Sequence, residues 1–342
     1  MSDANSSATP DQLFKIGLFR NEDAPALVRL YANPNSGYPS QESFTNIEKV
    51  IERFGGANVY LVVAKSPAGE IIGYIDMFHV NIPAGTLFIN MGFVSPDYRG
   101  QNIGNELMEY VVNILAVDLK VELVGGEILC HHTFMQKLII NYKGAIRGYD
   151  IALAVDGYNS QVPGEQRRTS ALMMGGTFVS RPQTLYLPDI YKKELSNMYA
   201  AWHCWHRFLP ANAKVPAGTL TVGKLLILDK LHVARINIFK IGTDLELYLR
   251  KTEEEVMNSD ITVIQVYLPL TSPWTGGAVD VLRAHAYFLG GPIPRFYNPD
   301  NDALLMQKMF HEPNFAGIKL FSEHAQVIMD IVKKDWELVR GK

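Results

Sequence analysis

Cysteine is scarce in this chain of 342 residues: there are two, Cys130 and Cys204. They lie far apart and outside any metal-ligand spacing. That excludes a disulfide framework and fits a reducing, cytoplasmic setting. An excess of positive charge is missing as well. Lys and Arg total 32 against 35 Asp and Glu, for a net charge of −3. Neither nucleic acid nor an acidic membrane surface is therefore an expected partner. No apolar run approaches the ~20 residues needed to span a bilayer. Residues 1–12 are mainly Ser, Ala, Asp and Asn with one Pro. They lack the basic start and apolar centre of a signal peptide and are expected to form a disordered tail.

What is present is apolar material in quantity. Hydrophobic residues make up 47% of the chain, and the length suits about two domains of roughly 100–200 residues each. Residues 14–19 read as a strand, and Asn21 reads as the cap of a helix carrying Leu27, Leu30 and Tyr31 on one face. A second helix is expected over 43–54. Strands are expected over 59–64, 71–80 and 86–94. A helix follows, with Ile103, Leu107, Tyr110, Val111, Ile114 and Leu115 in one stripe. Then come a strand over 121–130, a short helix over 133–142 and a closing strand pair at 145–155 and 170–179. The pattern then restarts. It has a strand at 183–187, a helix at 189–209, strands within 220–241 and a helix at 244–258. An apolar strand at 261–270, a helix to about Leu289, a strand at 303–309 and a helix at 322–336 complete it. The boundary is placed near Ser180–Gln183, giving domains over 13–180 and 181–342.

One stretch carries chemistry: Val94-Ser-Pro-Asp-Tyr-Arg-Gly-Gln-Asn-Ile-Gly104. It joins an apolar strand to an amphipathic helix. The first N–H groups of a helix have no internal acceptor, and the helix dipole favours negative charge there. A glycine-containing turn at that point is an anion site that the backbone can bring close to a phosphate.

The matched positions Val94, Pro96, Tyr98, Arg99, Gly100, Gln101, Ile103 and Gly104 resemble the GNAT superfamily of acyl-CoA-dependent N-acyltransferases, over about residues 12–180. The resemblance implies an α/β (α+β) fold with a mixed central sheet flanked by helices. It implies acetyl-CoA or another acyl-CoA as co-substrate and no metal. The coenzyme A pyrophosphate would be held by Arg99, Gly100, Gln101, Asn102, Ile103 and Gly104, and the pantetheine by Phe93 and Val94. Asn102 departs from the family, which usually has Gly there. In the second half, Val266–Pro269 followed by Ser272–Gly277 and a helix copies the layout without the Arg-Gly pair. A second, degenerate GNAT-like lobe without a cofactor loop is therefore expected, packed against the first in a monomer or homodimer.

Acylation of an amine needs a base and an acid near the thioester. The family commonly places a carboxylate on the strand before the loop, but residues 86–92 hold only Asn90. Its usual tyrosine position is Ile140, with Tyr142 two residues further on. His131 and His132, at the end of the next strand, are the substitute bases, with Tyr142 as the candidate acid. Asp76, His79 and Glu127 are weaker candidates, each expected on a solvated strand face. His203 and His206 share a helix face but lack a third ligand, so no metal is expected there. The expected reaction is transfer of an acyl group to a small-molecule or peptide amine. The alternatives are a non-catalytic acyl-CoA-binding regulatory protein and an interaction scaffold that binds no cofactor.

Overall fold

A computed structural model describes residues 13–32, 46–80, 85–141, 150–159, 168–202, 205–257, 259–298 and 300–340. They pack as two compact units. Of the described residues, the first takes 13–32, 46–80 and 86–121, and the second takes 85, 122–141 and everything from 150 onward. The packing division thus falls at Val121/Glu122, whereas the sequence pattern restarts near residue 180.

The first unit contains strand β1 (Lys15–Leu18), helices α1 (Ala24–Ala32) and α2 (Ile47–Gly55), and strands β2 (Val59–Lys65), β3 (Ile71–Val80) and β4 (Thr86–Val94). Helix α3 (Ile103–Tyr110) runs on through a π turn at Val111–Leu115 into α4 (Ala116–Asp118). The strands pair antiparallel in chain order, with Val63 opposite Tyr74 and Tyr74 opposite Phe93. Asn21 is not the cap of α1. A 3-10 turn precedes that helix, and the Arg20 amide donates to Asp23 at 2.9 Å. The second helix starts at residue 47 because the Asn46 side chain accepts from the Lys49 amide at 2.7 Å.

Successive strand residues face opposite sides of a sheet. Leu61, Val63, Tyr74 and Phe93 pack against Leu27 of α1 and Val50 of α2. Gly73 faces the other way, where a Cβ would lie 3.1 Å from Ile103 and 3.3 Å from Leu107 of α3. Glycine there lets α3 settle onto β3. Each fully buried leucine or valine of these faces contributes about 1.5–3 kcal/mol.

The second unit opens with β5 (Leu123–Leu129), α5 (Phe134–Asn141), β6 (Asp150–Asn159) and β7 (Arg168–Thr177). These strands pair antiparallel in the order β5-β7-β6. They are followed by β8 (Thr184–Leu187), α6 (Lys192–Ala201), β9 (Arg207–Pro210), β10 (Val222–Leu228), β11 (Val233–Lys240), α7 (Leu245–Met257) and β12 (Val263–Pro269). The chain closes with α8 (Thr275–Ala284), β13 (Phe288–Asn298), β14 (Asn301–Met309) and α9 (Glu323–Val339). A mixed sheet orders as β10-β11-β12-β14-β13, parallel only between β11 and β12. Every residue of β12 is buried, which explains its largely apolar sequence; the polar side chain of Gln265 accepts from Arg235 at 2.9 Å. The helix expected to reach Leu289 ends at Ala284, and β13 begins at Phe288.

Buried polar contacts tie β5 and β6 to that sheet. Gln307, wholly buried on β14, accepts from the Val155 amide and donates to Leu153, both at 2.9 Å. Arg235 of β11 pairs with Glu127 of β5 at 3.0 Å. Glu122 takes Arg181 and Arg295, the latter at 2.9 Å, and the hydrogen bond from Arg181, with the positive charges of both, holds its carboxyl below the usual carboxylate range. Among the described residues no helix is long and apolar enough to cross a membrane.

Candidate functional site

The strand–loop–helix of the first unit is built from local bonds. Beyond Val94, the Ser95 amide donates to Ile72 at 2.8 Å, and a 3-10 turn spans Pro96–Tyr98. The Arg99 side chain folds back, its Nε donating to the Val94 carbonyl at 3.3 Å. Gly100 sits at φ +81°, and a Cβ added there would meet nothing within 4 Å. The backbone therefore requires glycine while the space above it is open. Asn102 occupies the residue before α3 at φ 64°, ψ 6°, a left-handed conformation that Asn tolerates better than most residues. Its side chain does not cap the helix. It donates to Glu106 at 3.3 Å and accepts from Asn105. The amides of Ile103, Gly104 and Asn105 thus have no acceptor inside the helix and none from the cap residue. Ile103 is buried against Gly73, Phe93 and Val94 are buried, and Gln101 is exposed.

The acid–base candidates fall differently from expectation. Asp76 and His79 do not lie on a solvated face: they are 1% and 7% exposed. Asp76 receives Arg53 of α2 at 2.7 Å and the Asn90 side chain at 2.8 Å. The β3–β4 register explains the second contact. Asp76 opposes Met91 and Met77 opposes Ile89, so Asn90 is the extra residue of a bulge. Burial lowers the pKa of His79, which favours its neutral form. Glu127 is held by Arg235.

His131 and His132 follow β5 in the second unit, their ring centroids 4.1 Å apart. Behind them the fully buried Gln136 of α5 donates to Lys319 and accepts from the Phe321 amide, both at 2.9 Å. The cofactor-loop residues are all in the first unit. Tyr142, His203 and Cys204 lie outside the described residues. His206 is not helical; it precedes β9, where its Nδ1 accepts from the Gln183 amide at 3.2 Å. Sequence reading missed the Arg53–Asp76–Asn90 cluster. Its one local signal was Asn90, a polar interruption in the apolar run of β4.

The second unit has its own strand–loop–helix leading to a parallel strand, and it is not at Ser272–Gly277. It is β11, the turn at 241–244, α7 and β12. A Cβ on Gly242 would lie 2.1 Å from the Thr221 nitrogen and 2.3 Å from the Leu220 carbonyl carbon. The Gly242 amide donates to Thr221 Oγ1 at 3.1 Å, and the Thr243 amide donates to Thr219 at 2.9 Å. Asp244 accepts from the Thr221 amide at 2.7 Å, which holds its carboxyl below the usual range. The turn at 272–277 is filled too: a Cβ on Gly276 would lie 2.0 Å from the Ala211 carbonyl oxygen.

Loop, glycine and uncapped helix together have the geometry that suits an anion at a helix N-terminus. Residues 56–138, which contain it, match the family model of the acetyltransferase (GNAT) domain. This part of the chain is similar to GNAT domains. No curated protein sequence matches the chain. Among solved structures, a spermidine N-acetyltransferase from Vibrio cholerae in complex with CoA and spermine is 12% identical, with a TM-score of 0.39, covering 49% of this chain and 96% of its own. A ribosomal-protein-S5-alanine acetyltransferase from Vibrio fischeri is 9% identical, with a TM-score of 0.41, covering 49% of this chain and 95% of its own. A structure described as a phosphinothricin N-acetyltransferase is 18% identical, with a TM-score of 0.39, covering 49% and 99%.

Proposed function

We propose that this protein transfers an acetyl or other acyl group from acyl-CoA to a small-molecule or peptide amine by direct attack on the thioester. The observation that supports this best is the open Gly100 turn leading into an uncapped α3, inside a segment of GNAT type. The residues present fit the cofactor. Amides of Arg99 to Gly104 would hold the pyrophosphate, and Phe93 and Val94 would flank the pantetheine. Asn102 leaves the amides of Ile103 and Gly104 uncapped because its side chain turns to Asn105 and Glu106. Acyl-CoA supplies the activated carbonyl. The protein's part is to orient it, exclude water and take the proton from the amine. His131 and His132 are the candidate bases and Tyr142 the candidate acid. We read residues 13–180 and 181–342 as two lobes of related topology, the order β12-β14-β13 repeating β5-β7-β6.

A second reading is favoured by one feature: β4 carries no carboxylate. It is an acyl-CoA-binding regulatory protein without turnover. Calorimetry with coenzyme A tests the shared claim, and no binding at millimolar concentration overturns both. A thiol-release assay over an amine panel then separates them. A His131→Ala, His132→Ala double variant should lose turnover while keeping coenzyme A affinity, and wild-type rates would reject these two as the base.

A further inference from the structure

We propose that Asn90 recognises the acceptor, its side-chain carbonyl receiving an N–H from a primary amine, and that Asp76 is the positioning residue that turns it outward. This rests on the acyl-transfer reading and names a contact within it. An ionised carboxylate has no donor, so the Asn90 amide must present Nδ2 to Asp76, leaving Oδ1 as an acceptor. Asn90 is exposed while Asp76 is 1% exposed, so the ordering contact is buried and the ordered atom faces out. Arg53 bonds the same Asp76 oxygen at 2.7 Å. The other oxygen, Oδ1, is buried with no hydrogen-bond partner among the described residues.

A buried ion pair of this kind is seldom the most stabilising choice for a packed position, since desolvation offsets its attraction. Here its visible consequence is the fixed orientation of one exposed amide. The bulge adds to this. It takes Asn90 out of the ladder with β3, so the residue can be aimed independently of its neighbours. Position along the strand agrees. Asn90 lies four residues before Val94, about 13 Å back along β4. An extended pantetheine arm anchored at the loop reaches a comparable distance.

The test uses the full chain with acetyl-CoA and a panel of primary amines that includes spermidine, a lysine-containing peptide and an arylamine. In Asn90→Ala the KM for the amine should rise about tenfold, the upper end for one hydrogen bond. The KM for acetyl-CoA and the calorimetric affinity for coenzyme A should not change. Asp76→Asn should move the amine KM in the same direction by freeing the amide to flip, and Asp76→Glu should restore part of the loss. Saturation-transfer NMR with coenzyme A bound provides a readout without turnover: the amine signal should weaken in Asn90→Ala. An unchanged amine KM in folded Asn90→Ala overturns the proposal. So does wild-type protein that binds coenzyme A but no amine of the panel, which leaves the cofactor claim standing. Failure to bind coenzyme A instead overturns the reading beneath it.

Discussion

Two of the turns that follow a strand and open a helix beside a glycine, one in each unit, have opposite occupancy. After β4, Gly100 faces open space and the first amides of α3 lack a side-chain cap. After β11, Gly242 is pressed against the Leu220–Thr221 backbone, and the amides of Gly242 and Thr243 are already bonded. Asp244 adds a negative charge at the start of α7, where a phosphate would otherwise be favoured. A strand–glycine–helix pattern therefore does not by itself make an anion site. The amides must be left vacant by the rest of the fold. In one turn glycine is required by its φ angle, in the other by the atoms above it.

The largest effect that separates the two turns should come from Gly242→Ala. The new Cβ would fall 2.1 Å from a backbone nitrogen, which no side-chain rotation relieves. Overpacking of this kind costs about 3 kcal/mol or more. A fall of roughly 4 °C or more in the midpoint of thermal unfolding is expected for a chain of this size. Gly277→Ala is the control, since its Cβ meets nothing within 4 Å in helix α8. It should stabilise slightly, by about 0.5–1 kcal/mol. Equal midpoints for the two variants would show that Gly242 is not wedged.

Gly100→Ala should behave in the opposite sense, costing less stability and more function. No atom obstructs the Cβ, so the penalty is the left-handed backbone alone, about 1–2 kcal/mol. Distortion of the turn should weaken coenzyme A binding several-fold by calorimetry. It should also reduce the rise in unfolding temperature that saturating coenzyme A gives the wild type. Unchanged affinity would place the cofactor elsewhere.

A pH experiment addresses the second turn. The Thr221 amide lowers the pKa of Asp244 below its ordinary 3.8. As pH falls through that range the unfolded chain takes up the proton first, so this carboxylate's contribution is complete above the ordinary value. It is lost toward the lowered one. Asp244→Asn should flatten the acid limb of the stability profile below about pH 4. At neutral pH the side-chain carbonyl of the variant can still accept from the Thr221 amide, so the variant loses only the added strength that the charge gives that bond. Parallel profiles for the two proteins would remove Asp244 from the account.

How much of this was legible follows from which contacts are local. The first loop could be read because Val94 to Gly104 contains the strand end, the turn and the helix start in one run. The Asp76–Asn90 contact could not. It depends on a bulge that slips β4 by one residue against β3, and alternation along either strand does not reveal it. Nor could the filling of the second turn, since Thr219 to Thr221 reach Gly242 to Asp244 from more than twenty residues away. Ser272–Gly277 drew attention by composition, although the helix it opens follows β12 rather than leading to it. The helix read over 189–209 failed for a related reason. Its apolar residues serve α6 and then β9, which pairs with β8 through contacts that helical periodicity cannot anticipate.

The smallest effect, and the finest probe of the open turn, is Asn102→Gly. Asn102 already holds a left-handed conformation, so glycine fits the backbone without rearrangement. The loss is limited to two side-chain contacts on an exposed surface, with Glu106 and Asn105, so stability should change by only a few tenths of a kcal/mol. For binding there are two opposed terms. Removing the side chain gives a phosphate closer access to the amides of Ile103 and Gly104, while a more mobile turn must be ordered on binding. Because the Asn102 side chain points along the helix and away from those amides, access is nearly complete in the native turn. Coenzyme A affinity measured by calorimetry should therefore change by no more than about threefold. A tightening of tenfold or more would mean that Asn102 crowds the phosphate, and that the first turn is partly closed in the manner of the second.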